Sequence, residues 1–378
     1  MTGEKMGRPK KEDSVADAIK DEIVKDVEEE IEGVDPERLI PTGITLLDLA
    51  CSGTTRGGLS EGKINTFPGG SSSGKTFLTT HINAKIANTP KYDNYSIIND
   101  DVERAYEFNT RKLFGNKLAD RVKAPKYTKG GEPIYSTTIQ EFKNNILSTI
   151  DKGIPFIYTL DSLDALSSDQ ELEKEYAEAI KSAKNEEHVK ALKDGYHTEK
   201  AKIIGQVLRM IAGSLKGSKS VLNIIQQTRQ NLQAGLFGRK EITSGGNGPF
   251  FYSTFCFWTT KVKTHKDSKY GWEIGQRTKV DIRKNKLTGN KRTIEFDLYN
   301  SAGIDDVGSC IDFMIDNKFW PKNGQTINCI GLEIEGTRKK VHEYIRQNKL
   351  QNELVPVVGA AWNEIEESLE IEKLNDFE

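Results

Sequence analysis

The chain has 378 residues, enough for about two or three domains. Its 54 basic and 56 acidic residues leave a net charge of −2, which excludes a uniformly basic nucleic-acid coat or a membrane-surface protein. No run approaches the ~20 apolar residues of a membrane helix, residues 1–13 lack the apolar stretch of a signal peptide, and Cys51, Cys256, Cys310 and Cys329 form no CxxC pair, so neither a disulfide framework nor a zinc site is expected and a reducing cytosol fits.

Residues 1–11 are polar, and Gly7-Arg8-Pro9-Lys10 looks like the core of a minor-groove AT-hook. Residues 12–32 carry ten acids against Lys20 and Lys25. Within them Val15, Ile19, Ile23, Val27 and Ile31 recur every four residues, one stripe of an amphipathic helix that needs a surface to dock on. From Ile40 the pattern alternates. Strands are predicted at Lys63–Phe67, Tyr95–Ile98, Phe156–Leu160 and Ser220–Ile225, with helices at Thr76–Ala87 and Ile203–Leu215. That order predicts an α/β fold with a mostly parallel sheet. Residues 169–202 are charged and helix-prone, and residues 228–250 read as a long loop. Further strands are expected at Phe255–Lys263, Lys279–Arg283 and Thr293–Leu298. After Gly303 a small helical module is expected, containing Trp320 and a Thr337–Asn348 helix, and Glu364–Glu378 forms an acidic end with seven acids against Lys373. The division is residues 1–39 as an arm, 40–304 as a core and 305–378 as a small C-terminal domain with an acidic tail.

Gly69-Gly70-Ser71-Ser72-Ser73-Gly74-Lys75-Thr76 fits G-x-x-x-x-G-K-[ST] between a strand and a helix. Glycines let backbone N–H groups turn inward around phosphate oxygens, and the helix N-terminus adds its positive end. Lys75 supplies a charge for the phosphates, and the Thr76 hydroxyl suits Mg²⁺. The apolar strand ending at Asp161 adds a carboxylate of the kind that holds Mg²⁺ beside such a loop. Hydrolysis also needs a group that orients water, and Asn99, Asp100, Asp101 and Glu103 follow the second strand.

These motifs, with Asp101–Gly115, Gln226–Arg229, Leu236–Tyr252 and Lys284-Asn285-Lys286, resemble the RecA family of DNA strand-exchange ATPases, with its bacterial and phage UvsX-like members, over roughly residues 40–345. The resemblance implies a RecA-like P-loop core and an ATP-dependent recombinase. It would form filaments on single-stranded DNA and exchange strands with a homologous duplex, using ATP and Mg²⁺. It also implies roles. Glu103 is the water-activating base, and a frame slid by two makes it Asp101. Gln227 senses the γ-phosphate. Lys284 and Lys286 reach a neighbouring subunit's ATP, Tyr299 faces adenine, and Phe237 docks on the adjacent subunit. Ser244-Gly245-Gly246-Asn247 closes the second DNA loop, with Arg229 near its start, and the first DNA loop falls at Asp194–Thr198, including His197. Thr110 stands where the family places a stacking tyrosine. The implied partners are DNA, further copies of the chain, and single-strand-binding and mediator proteins. The implied location is a bacterial cytoplasm, for a chromosomal or a phage-encoded protein. A ring helicase or motor on the same core, and an ATP-switched DNA-binding scaffold, are the alternative functions. Lys261–Arg292 holds eleven Lys/Arg against Asp267, Glu273 and Asp281, a basic surface suited to phosphates.

Overall fold

Apolar strands that alternate with helices assemble into one ten-stranded sheet. The computed structural model describes residues 35–169, 186–230, 241–243 and 245–371. The expected arm helix, the AT-hook-like tetrapeptide, Phe237, Ser244 and the end of the acidic tail lie outside the described residues.

Leu39–Ile40 (β1) and Leu59–Ser60 (β2) form a small pair around helix α1, Thr45–Ser52. The main sheet starts with β3, Lys63–Gly69, followed by α2, Lys75–Asn88, and β4, Ser96–Asp101. Two short helices, α3 (Thr110–Phe114) and α4 (Asn116–Arg121), lead to β5, Val122–Lys123, and a small hairpin of β6 (Lys126–Tyr127) and β7 (Pro133–Ile134). Helix α5, Ile139–Asp151, opens with a capping box, in which the Thr138 hydroxyl accepts from the Glu141 N–H and the Glu141 carboxylate accepts from the Thr138 N–H. Then come β8 (Phe156–Asp161), α6 (Glu186–Leu215), β9 (Val221–Gln230), β10 (Glu241–Thr243) and α7 (Gly248–Tyr252). Strands β11 (Phe255–Lys266) and β12 (Glu273–Asn285) make a long hairpin, and β13 (Thr293–Tyr299) and β14 (Gly303–Asp305) end the sheet.

The order is β14-β13-β12-β11-β3-β9-β8-β4-β5, with β10 paired to β9. From β11 to β5 neighbours are parallel, and β12, β13, β14 and β10 join antiparallel. Successive side chains sort to opposite faces. Ile97, Ile157, Val221 and Ile225 enter the cluster with α1 and α2, while Ile98, Tyr158, Leu222 and Ile224 enter the cluster with α5 and α6. Parallel pairing puts the strand ends on one edge. Gly69 stands opposite Gln227, and Asp101 opposite Asp161. Ligands of open parallel sheets collect at that edge.

Three expectations change. The loop expected at 228–250 is partly a hairpin, with Ile242 opposite Arg229 and Thr243 opposite Thr228. Its backbone bonds need no apolar alternation, so periodicity could not show it. Asp194–Thr198, expected as a loop, lies within α6, because the Lys/Glu/Ala-rich run continues the helix. The module after Gly303 holds more than helices. Besides α8 (Asp306–Asp316), α9 (Arg338–Gln347) and α10 (Gln351–Ser368), it has a three-stranded sheet of Lys322–Asn323 (β15), Thr326–Cys329 (β16) and Ile334–Thr337 (β17). Strands this short carry almost no pattern. Trp320, Val341, Ile345 and Trp362 join the same apolar cluster as Phe296 and Leu298 of β13.

One buried acid gives a stability prediction. Asp48 on α1 accepts from the Thr42 N–H at 2.9 Å and the Thr42 hydroxyl at 2.7 Å, yet burial raises its pKa to about 7. The folded state therefore holds a proton that the unfolded chain releases from about pH 4. Stability from this group is present at low pH and is lost as pH rises toward 7. Asp48→Asn keeps an oxygen acceptor and removes the titration, so its Tm relative to the parent should rise more at pH 8 than at pH 5. Thermal scans at both values check it.

Candidate active site

Gly69 is required by crowding. A Cβ there would lie 2.2 Å from Thr259 Oγ1 and 2.5 Å from Ser73 Oγ. Those two hydroxyls are 2.8 Å apart, which ties the loop to β11. Ser71 and Ser72 are exposed, and Gly74 turns the chain at φ 93° into α2. The Lys75 amine folds back and donates to Gly70 O at 2.7 Å and Gly69 O at 3.0 Å. Burial lowers its pKa, against the pull of Asp161, Glu103 and Asp164. The Thr76 hydroxyl donates to Asp161 Oδ2 at 2.6 Å. Burial lifts Asp161 to about 6, the Thr76 bond opposes it, and Glu103 and Asp101 lift it further. A hydroxyl beside a carboxylate that burial makes costly to ionise fits a hard divalent cation, and the phosphate loop beside it fits a nucleotide's phosphates.

The two candidate bases have different surroundings. Both oxygens of Asp101 are occupied by backbone, Oδ1 by the Ala105 N–H at 3.2 Å and Oδ2 by the Tyr106 N–H at 3.1 Å. Asp101 is buried and shapes the turn after β4. Glu103 is exposed, and its Oε1 accepts from Gln227 Nε2 at 2.7 Å and from the Ser162 hydroxyl. The Gln227 N–H donates to Asp164 Oδ2 at 2.7 Å. Geometry therefore favours Glu103 as the group that faces solvent water.

Behind this turn lies a network that sequence reasoning missed. Asp100 is fully buried and accepts from the Ser136 N–H at 2.8 Å, the Ser136 hydroxyl at 2.6 Å and the Tyr158 hydroxyl at 2.6 Å. The one available signal was a tyrosine inside a mostly apolar strand. Removing a donor from a buried acceptor costs about 1–3 kcal/mol. Tyr158→Phe should lose about that much in urea unfolding.

The remaining candidates are dispersed. Tyr299 is half-buried at the end of β13 and stacks on His265, ring centroids 5.5 Å apart. Thr110 carries no ring, and its hydroxyl donates to the Tyr106 hydroxyl at 3.4 Å. Lys284 donates to the carbonyls of Phe250 and of Phe251, the latter at 2.9 Å, and Lys286 donates to Phe251 O at 3.3 Å. These amines meet the carbonyl end of α7, and among the described residues neither bonds to Gly69–Thr76. Burial, with Lys286 adding, pushes the Lys284 pKa down to about 8. Phe250 and Phe251, 45% and 67% exposed, are apolar surface that the sequence reading passed over.

Gly245 and Gly246 take positive φ, 81° and 67°. A Cβ on Gly246 would sit 3.0 Å from Ala201 Cβ, so the glycine turn lies against α6. His197 is on the same helix one turn earlier, and Arg229 is exposed on β9. The structure thus gathers Lys75, Thr76, Asp161, Glu103 and Gln227 at one sheet edge, with the glycine turn nearby and Lys284 and Lys286 apart.

A family model described as the RecA N-terminal domain matches residues 19–305. The chain belongs to the RecA family. Its relatives include Protein RecA of Chlamydia trachomatis serovar L2, 29% identical over 311 residues, which cover 82% of this chain and 78% of that protein. Protein RecA of Chlamydia felis is 28% identical over 311 residues, 82% and 79% of the two chains. Protein RecA of Chlamydia abortus is 27% identical over 337 residues, 88% and 86% of the two chains. The chain is therefore a RecA-type recombination and repair ATPase by family, and the family works with ATP and Mg²⁺. Among the described residues no helix is long and apolar enough to cross a membrane.

Proposed function

We propose that the chain is an ATP-dependent recombinase that forms filaments on single-stranded DNA, pairs that strand with a homologous duplex and exchanges strands, hydrolysing ATP to ADP and phosphate. The observation that carries this reading is the Gln227 amide. It donates to Glu103 at the nucleotide edge, while its strand runs on through Arg229 into the β9–β10 hairpin, beyond which lie Gly245–Asn247. An amide both donates and accepts, so its setting can follow the nucleotide and pull on the DNA loop.

In this reading Gly69–Gly74 wrap the phosphates with backbone N–H groups and Lys75 adds charge. Thr76 and Asp161 would hold Mg²⁺, which when bound neutralises phosphate charge. Glu103 orients and polarises the attacking water. Tyr299 lies against the base. Lys284 and Lys286 serve the next subunit's nucleotide, and the exposed Phe250 and Phe251 add to the docking surface assigned to Phe237. Arg229, Gly245, Gly246, Asn247 and His197 face DNA, holding it without reading bases, since exchange must tolerate any sequence. Residues 1–39 serve as a subunit-contact arm, 40–304 as the ATPase and DNA-binding core, and 305–378 as the C-terminal domain. Single-strand-binding and mediator proteins are further partners in a bacterial cytoplasm.

ATP turnover with and without single-stranded DNA, paired with electron microscopy, tests it. DNA-stimulated turnover and open filaments are expected. Closed rings would make it a motor, and nucleotide binding without turnover would make it a scaffold.

A further inference from the structure

Trp272 and Tyr270 are 74% and 64% exposed at the tip of the β11–β12 hairpin, whereas Trp258, Trp320 and Trp362 are each at most 7% exposed. Large rings normally bury themselves, so an exposed pair is informative. The tip is an ordered turn. The Asp267 carboxylate accepts from the Lys269 N–H at 3.0 Å and the Tyr270 N–H at 2.6 Å, and Gly271 reverses the chain at φ 71°. The two rings lie 5.8 Å apart with their planes 40° off parallel.

The surroundings are basic. Asp267 is taken up by the turn, and Glu273 is paired with Lys261 at 2.9 Å. Lys263, Lys266 and Lys269 are exposed and form no ion pair with a described residue, and the Lys269 amine sits 4.8 Å from the Tyr270 ring. The hairpin also has reach. β11 pairs with β3 as far as Thr259 opposite Gly69, then runs on to Lys266, roughly 20 Å further at ~3.3 Å per residue. Its partner β12 stays paired with β13 as far as Gly275 opposite Tyr299, so the tip from Lys266 to Glu273 is what projects beyond the sheet, at the edge that carries the nucleotide residues.

We propose that this tip is a stacking platform for unpaired nucleic-acid bases, with Trp272 and Tyr270 as the rings and Lys263, Lys266 and Lys269 holding the flanking phosphates. Every base offers a π-face, so aromatic rings beside a cationic rim bind single strands without regard to sequence. A duplex hides those faces in its own stack, so the platform selects unpaired nucleotides. The proposal rests on the DNA-binding reading above and adds a contact at the hairpin tip, apart from the glycine turn and Arg229.

Trp272 is the one exposed tryptophan, so the protein carries its own reporter. The full chain is titrated with a short oligothymidylate, following tryptophan emission and, in parallel, the anisotropy of a labelled oligonucleotide. Emission should be quenched as the oligonucleotide saturates, and Trp272→Phe should abolish the quench. Trp272→Ala should weaken binding about tenfold, with Trp272→Phe restoring most of it, as stacking on one base predicts. Inorganic polyphosphate should compete for the lysines and leave emission unchanged. Binding without quenching, equal quenching by polyphosphate, or an unweakened Trp272→Ala would overturn the platform. So would a change in the sedimentation of DNA-free protein on Trp272→Ala, which would mark the tip as a contact between copies. No anisotropy change at all would overturn DNA binding itself, and the platform with it.

Discussion

Glu103→Gln should slow ATP turnover by about a hundredfold or more, the range a positioned general base supplies, while nucleotide and DNA binding persist. The amide keeps an oxygen that can accept from Gln227 and from Ser162, so the local bonds survive and only the charge is lost. Filaments formed by this variant should persist, because the step that resets Gln227 is blocked. Asp101→Asn should behave differently. Its carboxylate oxygens already hold the Ala105 and Tyr106 amides, so the change loosens the turn and lowers stability more than it alters chemistry. Steady-state turnover and nucleotide affinity of the two variants decide the matter. A slow, tight-binding Asp101→Asn beside an active Glu103→Gln would shift the base by two residues.

What could be read beforehand follows a physical line. Gly69–Thr76 was legible because cradling phosphate demands glycine, lysine and hydroxyl at fixed spacing in one strand–loop–helix unit. Asp161 was legible only because its strand follows the phosphate loop, since many buried strands end in an acid. The sheet strands were legible where apolar residues cluster, as at Phe156–Leu160. Asp100 was not, because its meaning depends on Ser136 and Tyr158, which are 36 and 58 residues away. β10 was not, because Glu241–Thr243 has neither alternation nor length and exists only as the partner of Thr228–Gln230. The choice between Glu103 and Asp101 stayed open in the sequence because a frame slid by two exchanges them. Their hydrogen bonds give the two acids different surroundings.

Lys284 and Lys286 pose the remaining question, since each bonds carbonyls of α7 and neither bonds to its own phosphate loop. If they complete a neighbour's site, a Lys284→Ala/Lys286→Ala variant should bind ATP yet hydrolyse it poorly, because charge developing on the transferred phosphoryl goes uncompensated. Glu103→Gln fails for the opposite reason: its own site lacks the base, though it still offers its lysines across the joint. Mixed in one filament, a lysine-minus protomer that receives lysines from a Glu103→Gln neighbour has every part of a site. With random equal mixing, about one joint in four is of that kind, so two nearly inactive proteins should together recover measurable turnover. Lysines acting within their own subunit predict no recovery, because neither protein then carries a complete site. ATP turnover measured against mixing ratio, with single-stranded DNA saturating, separates the two arrangements. A curve that peaks near equal mixing is expected. A flat line at the level of the parents would leave the lysines as supports for the carbonyl end of α7 and members of the basic surface.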